Sequence, residues 1–157
     1  MSIGDEFDKT PGRSIYIDGQ EIVRILSRRI PSGTRLQIRW RSATLKPLQG
    51  IRLKVYDGGT LTSSENETLK DIVLWHDTAP QSVDFVCNTK TTADVKVWNC
   101  WRDDRGVTQA WVLNASMRVS DTGPNSFLVE CNSHNNVTFT DSVFELIFAE
   151  ESKAVDS

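Results

Sequence analysis

The sequence predicts an all-β protein, built as an antiparallel sandwich of two sheets. Apolar and polar residues alternate with a period of two along most of the chain, and no long segment has the spacing of an amphipathic helix. Turn-forming residues recur at intervals of roughly 8–15 residues, which favours about eight to ten short strands. This pattern is typical of sandwiches, jelly rolls and barrels, and we favour a jelly-roll-like arrangement over an immunoglobulin-like one.

The clearest strand is predicted at residues 34–41. In an extended chain Leu36, Ile38 and Trp40 share one face, while polar and basic residues share the opposite face. A second strand is predicted at 51–56 for the same reason. The remaining strands are predicted at 72–75, 81–88, 94–101, 107–119, 126–131 and 142–148.

A hairpin turn is predicted at residues 102–106, with Gly106 at a position that needs positive φ. The arm that follows alternates over 107–119, which places Trp111 and Leu113 on its inward face. The pattern therefore predicts two long paired arms that meet at a charged tip.

The chain is predicted to be one domain over residues 14–150, with flexible polar termini at 1–13 and 151–157. It has 157 residues, of which 38% are hydrophobic and 25% charged, and this composition indicates a globular protein with its own core. The one helix candidate is short, at 64–70, with Ser64 as its capping residue.

The composition favours a cytoplasmic protein. No stretch approaches the roughly 18 consecutive apolar residues of a membrane helix, and the acidic start of the chain lacks the apolar centre of a secretory signal. No membrane partner is expected, although secretion by another route stays open. The three cysteines (Cys87, Cys100 and Cys131) have no CxxC spacing and are expected to be small buried hydrophobes rather than disulfides.

A dense group of tryptophan, amide and charged residues lies between positions 97 and 114. Successive side chains of a strand point to opposite faces, and Trp98 and Trp101 are three residues apart. If the strand is unbroken and Trp101 faces inward, Trp98 therefore faces outward. An outward indole beside amides and charges is the combination that stacks on a sugar ring and binds its hydroxyls, although core packing is the alternative role for these tryptophans. A second possible cluster is the Trp-His-Asp segment at 75–77. The candidate ligand-binding residues of the two clusters are Trp75, His76, Asp77, Trp98, Asn99, Trp101, Arg102, Asp103, Arg105 and Asn114.

Basic residues are concentrated in one part of the chain, since nine lie between Ile22 and Tyr56 and no acidic residue does. If the two strands of this segment pair, five of them form one basic face: Arg35, Arg39, Arg41, Arg52 and Lys54. Nucleic acid is an unlikely ligand, because aromatic residues hardly interleave with these cations. Pairing with the acidic remainder of the chain, for example with Asp84, Asp94 and Glu130, or a subunit interface is favoured.

No catalytic residue, metal ligand or cofactor site is predicted. The chain has no nucleophile, zinc or phosphate-loop motif, and its aspartates are too dispersed for a calcium loop. The leading hypothesis is a non-catalytic, lectin-like recognition module that binds a glycan through the Trp98 hairpin. Two alternatives stay open: a structural protein that acts by forming homo-oligomers, and a hydrolase with dispersed acidic residues.

Overall fold

The computed structural model describes residues 3–9 and 14–149. Within these ranges the chain forms two antiparallel sheets and one short helix, which confirms the predicted all-β sandwich class. The preference for a jelly roll over an immunoglobulin-like arrangement stays a prediction. No helix in the described part of the chain is both apolar enough and long enough to cross a membrane.

The helix and strands have the following bounds in chain order. They are α1 Ile3–Lys9, β1 Ile15–Ile17, β2 Gln20–Val23, β3 Leu26–Pro31, β4 Arg35–Ala43, β5 Leu48–Val55, β6 Thr60–Ser63, β7 Thr68–Leu69, β8 Asp71–Trp75, β9 Ser82–Asn88, β10 Thr92–Arg102, β11 Thr108–Gln109, β12 Ser116–Gly123, β13 Ser126–Asn132 and β14 Ser142–Ala149.

The larger sheet has nine strands in the order β1-β2-β12-β13-β14-β4-β9-β6-β7. The smaller sheet has the order β11-β10-β5-β8, and β3 also pairs with β10. Strand β4 reproduces the predicted alternation, because Leu36, Ile38 and Trp40 are buried while Arg35 and Arg39 are exposed.

Several connections cross between the sheets at one end of the sandwich, which we call the loop end. Strands β4, β8 and β10 run towards this end, and β5, β9 and β12 lead away from it in the opposite sheet. The loop end is formed by the connections 44–47, 76–81, 103–115 and 133–141. Loops gathered at one end of a rigid sandwich are a common location for binding sites.

The predicted hairpin forms, with Gly106 at a φ of 78° and Thr108–Gln109 (β11) paired with β10, but the predicted long arm at 107–119 is wrong after Gln109. Strand β12 begins only at Ser116, and residues 110–115 between β11 and β12 are a loop in which Trp111 and Leu113 have positive φ values of 60° and 50°. Both side chains are exposed, by 42% and 61%, rather than buried in the core. Left-handed backbone at these two positions breaks the extended geometry on which the alternation argument depends.

Two predictions of local structure also differ from the observed fold. The proposed helix at 64–70 is a turn followed by β7, in which the Ser63 hydroxyl accepts hydrogen bonds from the backbone N–H groups of Glu65 and Glu67. Part of the terminus expected to be flexible, residues 3–9, is helix α1, and its Ile3 and Phe7 are buried. The rest of 1–13 and all of 151–157 lie outside the described residues.

All three cysteines are free and buried. Burial raises the pKa of Cys100 and of Cys131 to about 12, and it also raises the pKa of Cys87. The thiolate is the reactive form, so native cysteines in this state are expected to be inert at neutral pH.

We therefore predict that a thiol reagent at pH 8 labels fewer than about one thiol per folded chain within minutes, and all three thiols in denaturant. The reaction is followed by absorbance and by intact mass. Rapid labelling of the folded chain would contradict the burial described here.

Candidate functional site

Exposed apolar side chains are concentrated at the loop end. Eight large hydrophobic residues are exposed in the described part of the chain, and six of them lie in the connections 44–47, 103–115 and 133–141. Apolar groups grouped on one surface commonly mark an interaction site, whereas scattered ones do not. The six are Leu45, Val107, Trp111, Val112, Leu113 and Val137.

A cleft of about 580 Å³ opens among these loops. One wall is the segment 45–48, and another is the start of the charged turn at 102–104. His134, from the connection between β13 and β14, also lines the cleft. The cleft thus combines an apolar wall with basic, acidic and imidazole groups, which is the mixture found in small-ligand sites.

His134 is held in the cleft by stacking. Its ring lies 5.5 Å from the ring of Trp101, centroid to centroid, with an angle of 18° between the planes. Its carbonyl oxygen accepts a hydrogen bond from the backbone N–H of Asn114, which ties the connections 133–141 and 103–115 together. Because Trp101 is only 1% exposed, it supports His134 from below and offers no surface to a ligand.

Arg102 reaches from the cleft to Trp75 on the outer face of the smaller sheet. Its guanidinium carbon lies 4.4 Å from the centre of the Trp75 ring, a cation–π contact. Gly50 pairs with Trp75, and a Cβ at Gly50 would lie 2.8 Å from the Trp75 ring and 3.0 Å from the Cys100 sulfur. A glycine is therefore needed at position 50 for the indole to lie against the sheet.

Asp103 organises the turn at the edge of the cleft. Its Oδ1 accepts hydrogen bonds from the backbone N–H groups of Arg105 and Val107, both at 2.9 Å, and its Oδ2 accepts one from Gln109 at 3.0 Å. These bonds, that from Val107 first, lower the pKa of Asp103. With both oxygens already engaged, this carboxylate is a poor proton donor and has little capacity left for a ligand.

Buried polar side chains underlie the loop end. Asn99 donates from Nδ2 to the carbonyl oxygen of Asn132 at 2.8 Å. Asp141 accepts hydrogen bonds from the backbone N–H and the hydroxyl of Ser133, at 2.8 and 2.7 Å, and from Asn136 at 2.7 Å. Seven of the eight buried polar residues in the described chain lie at this end, so the loops rest on a hydrogen-bonded base.

The structure contradicts the prediction that Trp98, Asn99 and Trp101 contact a ligand, because all three side chains are buried. Trp98 does project from the outer face of its sheet, as the parity argument requires, but it is only 3% exposed. The ring of Trp111 lies 4.8 Å from it, and the Arg52 guanidinium lies 5.3 Å from it. Asn99 and Trp101 face the sandwich interior and are 2% and 1% exposed.

The other predicted contacts are spread around the loop end. His76 lies edge-on to Trp40 at 5.0 Å and lines a separate cleft of about 260 Å³, with the exposed Asp77 next to it in the chain. Arg105 is exposed at the tip of the turn. Asn114 accepts hydrogen bonds at its Oδ1 from the first backbone N–H groups of α1, which is a structural role.

Sequence reasoning missed six of the eight residues that line the larger cleft, namely Leu45, Lys46, Pro47, Leu48, Asp104 and His134. Lys46 precedes a proline in a short loop, and His134 lies in a polar segment, and neither has a spacing that indicates a site. Of the ten predicted contacts, Arg102 and Asp103 line this cleft, and Trp75 touches it through Arg102.

The predicted basic face is wrong because β4 and β5 belong to different sheets. The connection 44–47 carries the chain across the sandwich instead of turning it back beside itself. The cations on β4 are Arg35, Arg39 and Arg41, whereas those on β5 are Arg52 and Lys54.

Acidic side chains pair with much of this positive charge. Glu145 on β14 accepts a hydrogen bond from Arg41 and lies 3.9 Å from Arg39. Asp71 on β8 pairs with Arg52 at 2.6 Å, and this contact lowers the pKa of Asp71. The favoured interpretation of internal pairing agrees with these contacts.

The acidic partners themselves differ from those proposed on sequence. Asp94 lies 3.4 Å from Arg29, and Glu130 pairs with Arg118 at 3.0 Å. Asp84 has no ion pair in the part of the chain that the structure describes. Within residues 3–9 and 14–149, no group of three or more His, Cys, Asp or Glu side chains is arranged to hold a metal ion.

Comparisons with protein families, curated proteins and solved structures find no match to this chain. What the protein binds has to be inferred from its own geometry.

Because hydrogen bonds to Asp103 hold the turn at 102–106, we predict that this turn depends on pH. A carboxyl whose pKa is lowered by folding adds stability above its unfolded pKa, and this stability is lost as the pH falls through the folded pKa. We expect the amide signals of Arg105 and Val107 to titrate together in NMR spectra, with a midpoint below about 3.9, the ordinary value for aspartate. In Asp103→Asn this transition should be absent; its persistence would show that another group controls the turn.

Proposed function

We propose that this protein is a non-catalytic recognition module that binds a glycan in the cleft at the loop end. One observation carries the proposal: the cleft of about 580 Å³ is lined by apolar residues together with charged and imidazole ones. The apolar wall is Leu45, Pro47 and Leu48, and the polar groups are Lys46, Arg102, Asp104 and His134.

Such a lining matches the two kinds of surface that a pyranose ring presents. Its C–H face is apolar and packs on groups such as Leu45 and Leu48, while its hydroxyls bind charged and amide groups at the rim. Arg102 is suited to bind adjacent hydroxyls or a carboxylate, because its guanidinium offers several donors in one plane. The contact with Trp75 limits its motion before a ligand arrives.

A hydrolase fits the cleft less well. Its two carboxyl groups, Asp103 and Asp104, are adjacent in the chain. A glycosidase needs one carboxyl that stays protonated near neutral pH, and the hydrogen bonds to Asp103 lower its pKa instead.

The test is a glycan array followed by calorimetry on the strongest binder. Arg102→Ala is expected to weaken binding roughly tenfold, because a charge-assisted hydrogen bond is worth about 1.5 kcal/mol or more. Arg105→Ala is the matched control, since Arg105 lies on the same turn but outside the cleft lining. An array without any binder, or equal losses in the two variants, would end the glycan proposal.

Self-association is a second candidate function, favoured by the strained loop at 111–113. Two residues of this loop are held in the left-handed region, at roughly 1–2 kcal/mol each, while all three side chains are exposed. Arg24 donates to the carbonyl oxygen of Leu113 at 2.7 Å and so fixes the loop in this shape. A strained backbone that presents Trp111, Val112 and Leu113 to solvent suits an interface between two copies.

Sedimentation velocity over a range of concentrations tests this second candidate. The double variant Val112→Ser, Leu113→Ser is expected to raise the dimer dissociation constant at least roughly tenfold, since it removes two exposed apolar side chains. Tyr16→Ser is the control, because Tyr16 is 69% exposed but lies on β1, outside the loop at 111–113. A wild-type chain that sediments as a monomer at every concentration would exclude self-association as the function.

The cytoplasm stays the proposed location. Three unpaired thiols are compatible with a reducing compartment, where disulfides are rare. Fractionation of cells that express the full chain checks this proposal.

A further inference from the structure

Strand β8 forms an open edge of the smaller sheet. It pairs with β5 on one side, and among the described strands none pairs with it on the other. A strand with one free side presents a row of unpaired backbone donors and acceptors.

The register identifies which backbone groups are free. The bonds Val55 N–H to Lys70 carbonyl and His76 N–H to Gln49 carbonyl mark the two ends of the ladder between β5 and β8. Because hydrogen bonding alternates along an antiparallel strand, the N–H and C=O groups of Asp71 and Val73 point away from β5. Beyond them, the Trp75 carbonyl already accepts hydrogen bonds from the turn that follows it.

A groove runs alongside this free edge, between the two sheets. It has a volume of about 280 Å³, and β8, β9 and the segment 63–69 line it. Strand β9 also has a free stretch here, because β6 pairs with it only from Phe85 onward. The apolar residues along the groove are Leu69, Ile72, Val73, Leu74, Trp75, Ala79, Pro80, Val83 and Phe85, of which Ile72 and Leu74 share the inward face of β8.

The charged residues along the groove are all acidic. They are Glu65, Glu67 and Asp84, and in the described part of the chain none of them forms an ion pair. Glu65 and Glu67 are exposed in the turn beside the groove, and Asp84 projects from the outer face of β9 at its free stretch. Acidic residues at the rim of an apolar groove favour a cationic partner over an anionic one.

We propose that this groove binds an extended peptide segment of a partner protein, in which apolar residues alternate with lysine or arginine. The peptide adds a strand to β8 by pairing with the free backbone groups of Asp71 and Val73. Its apolar side chains enter the groove, and its cations lie beside Glu65, Glu67 and Asp84. This surface is distinct from the cleft at the loop end, so the two proposals stand or fall separately.

The experiment titrates the full chain with a seven-residue peptide of alternating valine and lysine, followed by NMR and amide hydrogen exchange. Binding should raise the protection of the Asp71 and Val73 amides at least roughly tenfold, because they gain a partner. The amides of Ile72 and Leu74 already face β5 and should change much less. Binding without protection at Val73, or no binding at millimolar peptide, overturns the proposal.

Two controls separate strand pairing and charge from non-specific binding. A peptide with every backbone amide methylated keeps its side chains but cannot complete the ladder, and it should not bind. The double variant Glu65→Gln, Glu67→Gln should bind the lysine peptide roughly fivefold more weakly, and the matched variant Glu21→Gln, Asp121→Asn, on β2 and β12, less than about twofold. The peptide-binding proposal is also overturned if the methylated peptide binds as tightly as the unmodified one, or if the two double variants lose the same amount of affinity.

Discussion

The hydrogen-bonded base beneath the loop end is the constraint on which the functional surface depends. A sandwich whose strands change sheets repeatedly at one end leaves that end of the core open, and the crossing loops have to cover it with polar backbone. Here Asn99, Asn132 and Asp141 bind that backbone from inside the protein. Loss of one such partner leaves a buried polar group unsatisfied, at a cost of about 1–3 kcal/mol. The hydrogen bonds of this base hold the backbone of the loops that carry the cleft, the stacked imidazole and the apolar loop tips.

The strand core was predictable, since it follows from a local rule. In β4 the alternation of Leu36, Ile38 and Trp40 with basic residues fixed both the extended chain and its buried face. The same rule failed before β12, where the pattern of apolar residues continues although the backbone turns left-handed at Trp111 and Leu113. Alternation predicts a strand and its buried face, but it does not show where a left-handed residue interrupts the strand.

The candidate site was predictable only in its general place, because it depends on contacts between distant segments. Parity correctly turned Trp98 to the outer face, but its burial depends on Trp111, which folds back over it from another part of the chain. Similarly, the five cations of the predicted basic face are one group in sequence and two groups in space, since the chain crosses between sheets after β4. His134 joins the cleft only through its stacking on Trp101, which no spacing in the sequence indicates.

The packing of Trp111 on Trp98 has an optical consequence. Two indole rings whose centres are 4.8 Å apart couple electronically, so their near-ultraviolet circular dichroism differs from that of isolated tryptophans. The pair spans the junction between a rigid strand and the exposed loop. The molecule thus carries a built-in spectroscopic reporter of whether that loop is closed over the sheet, without any added label.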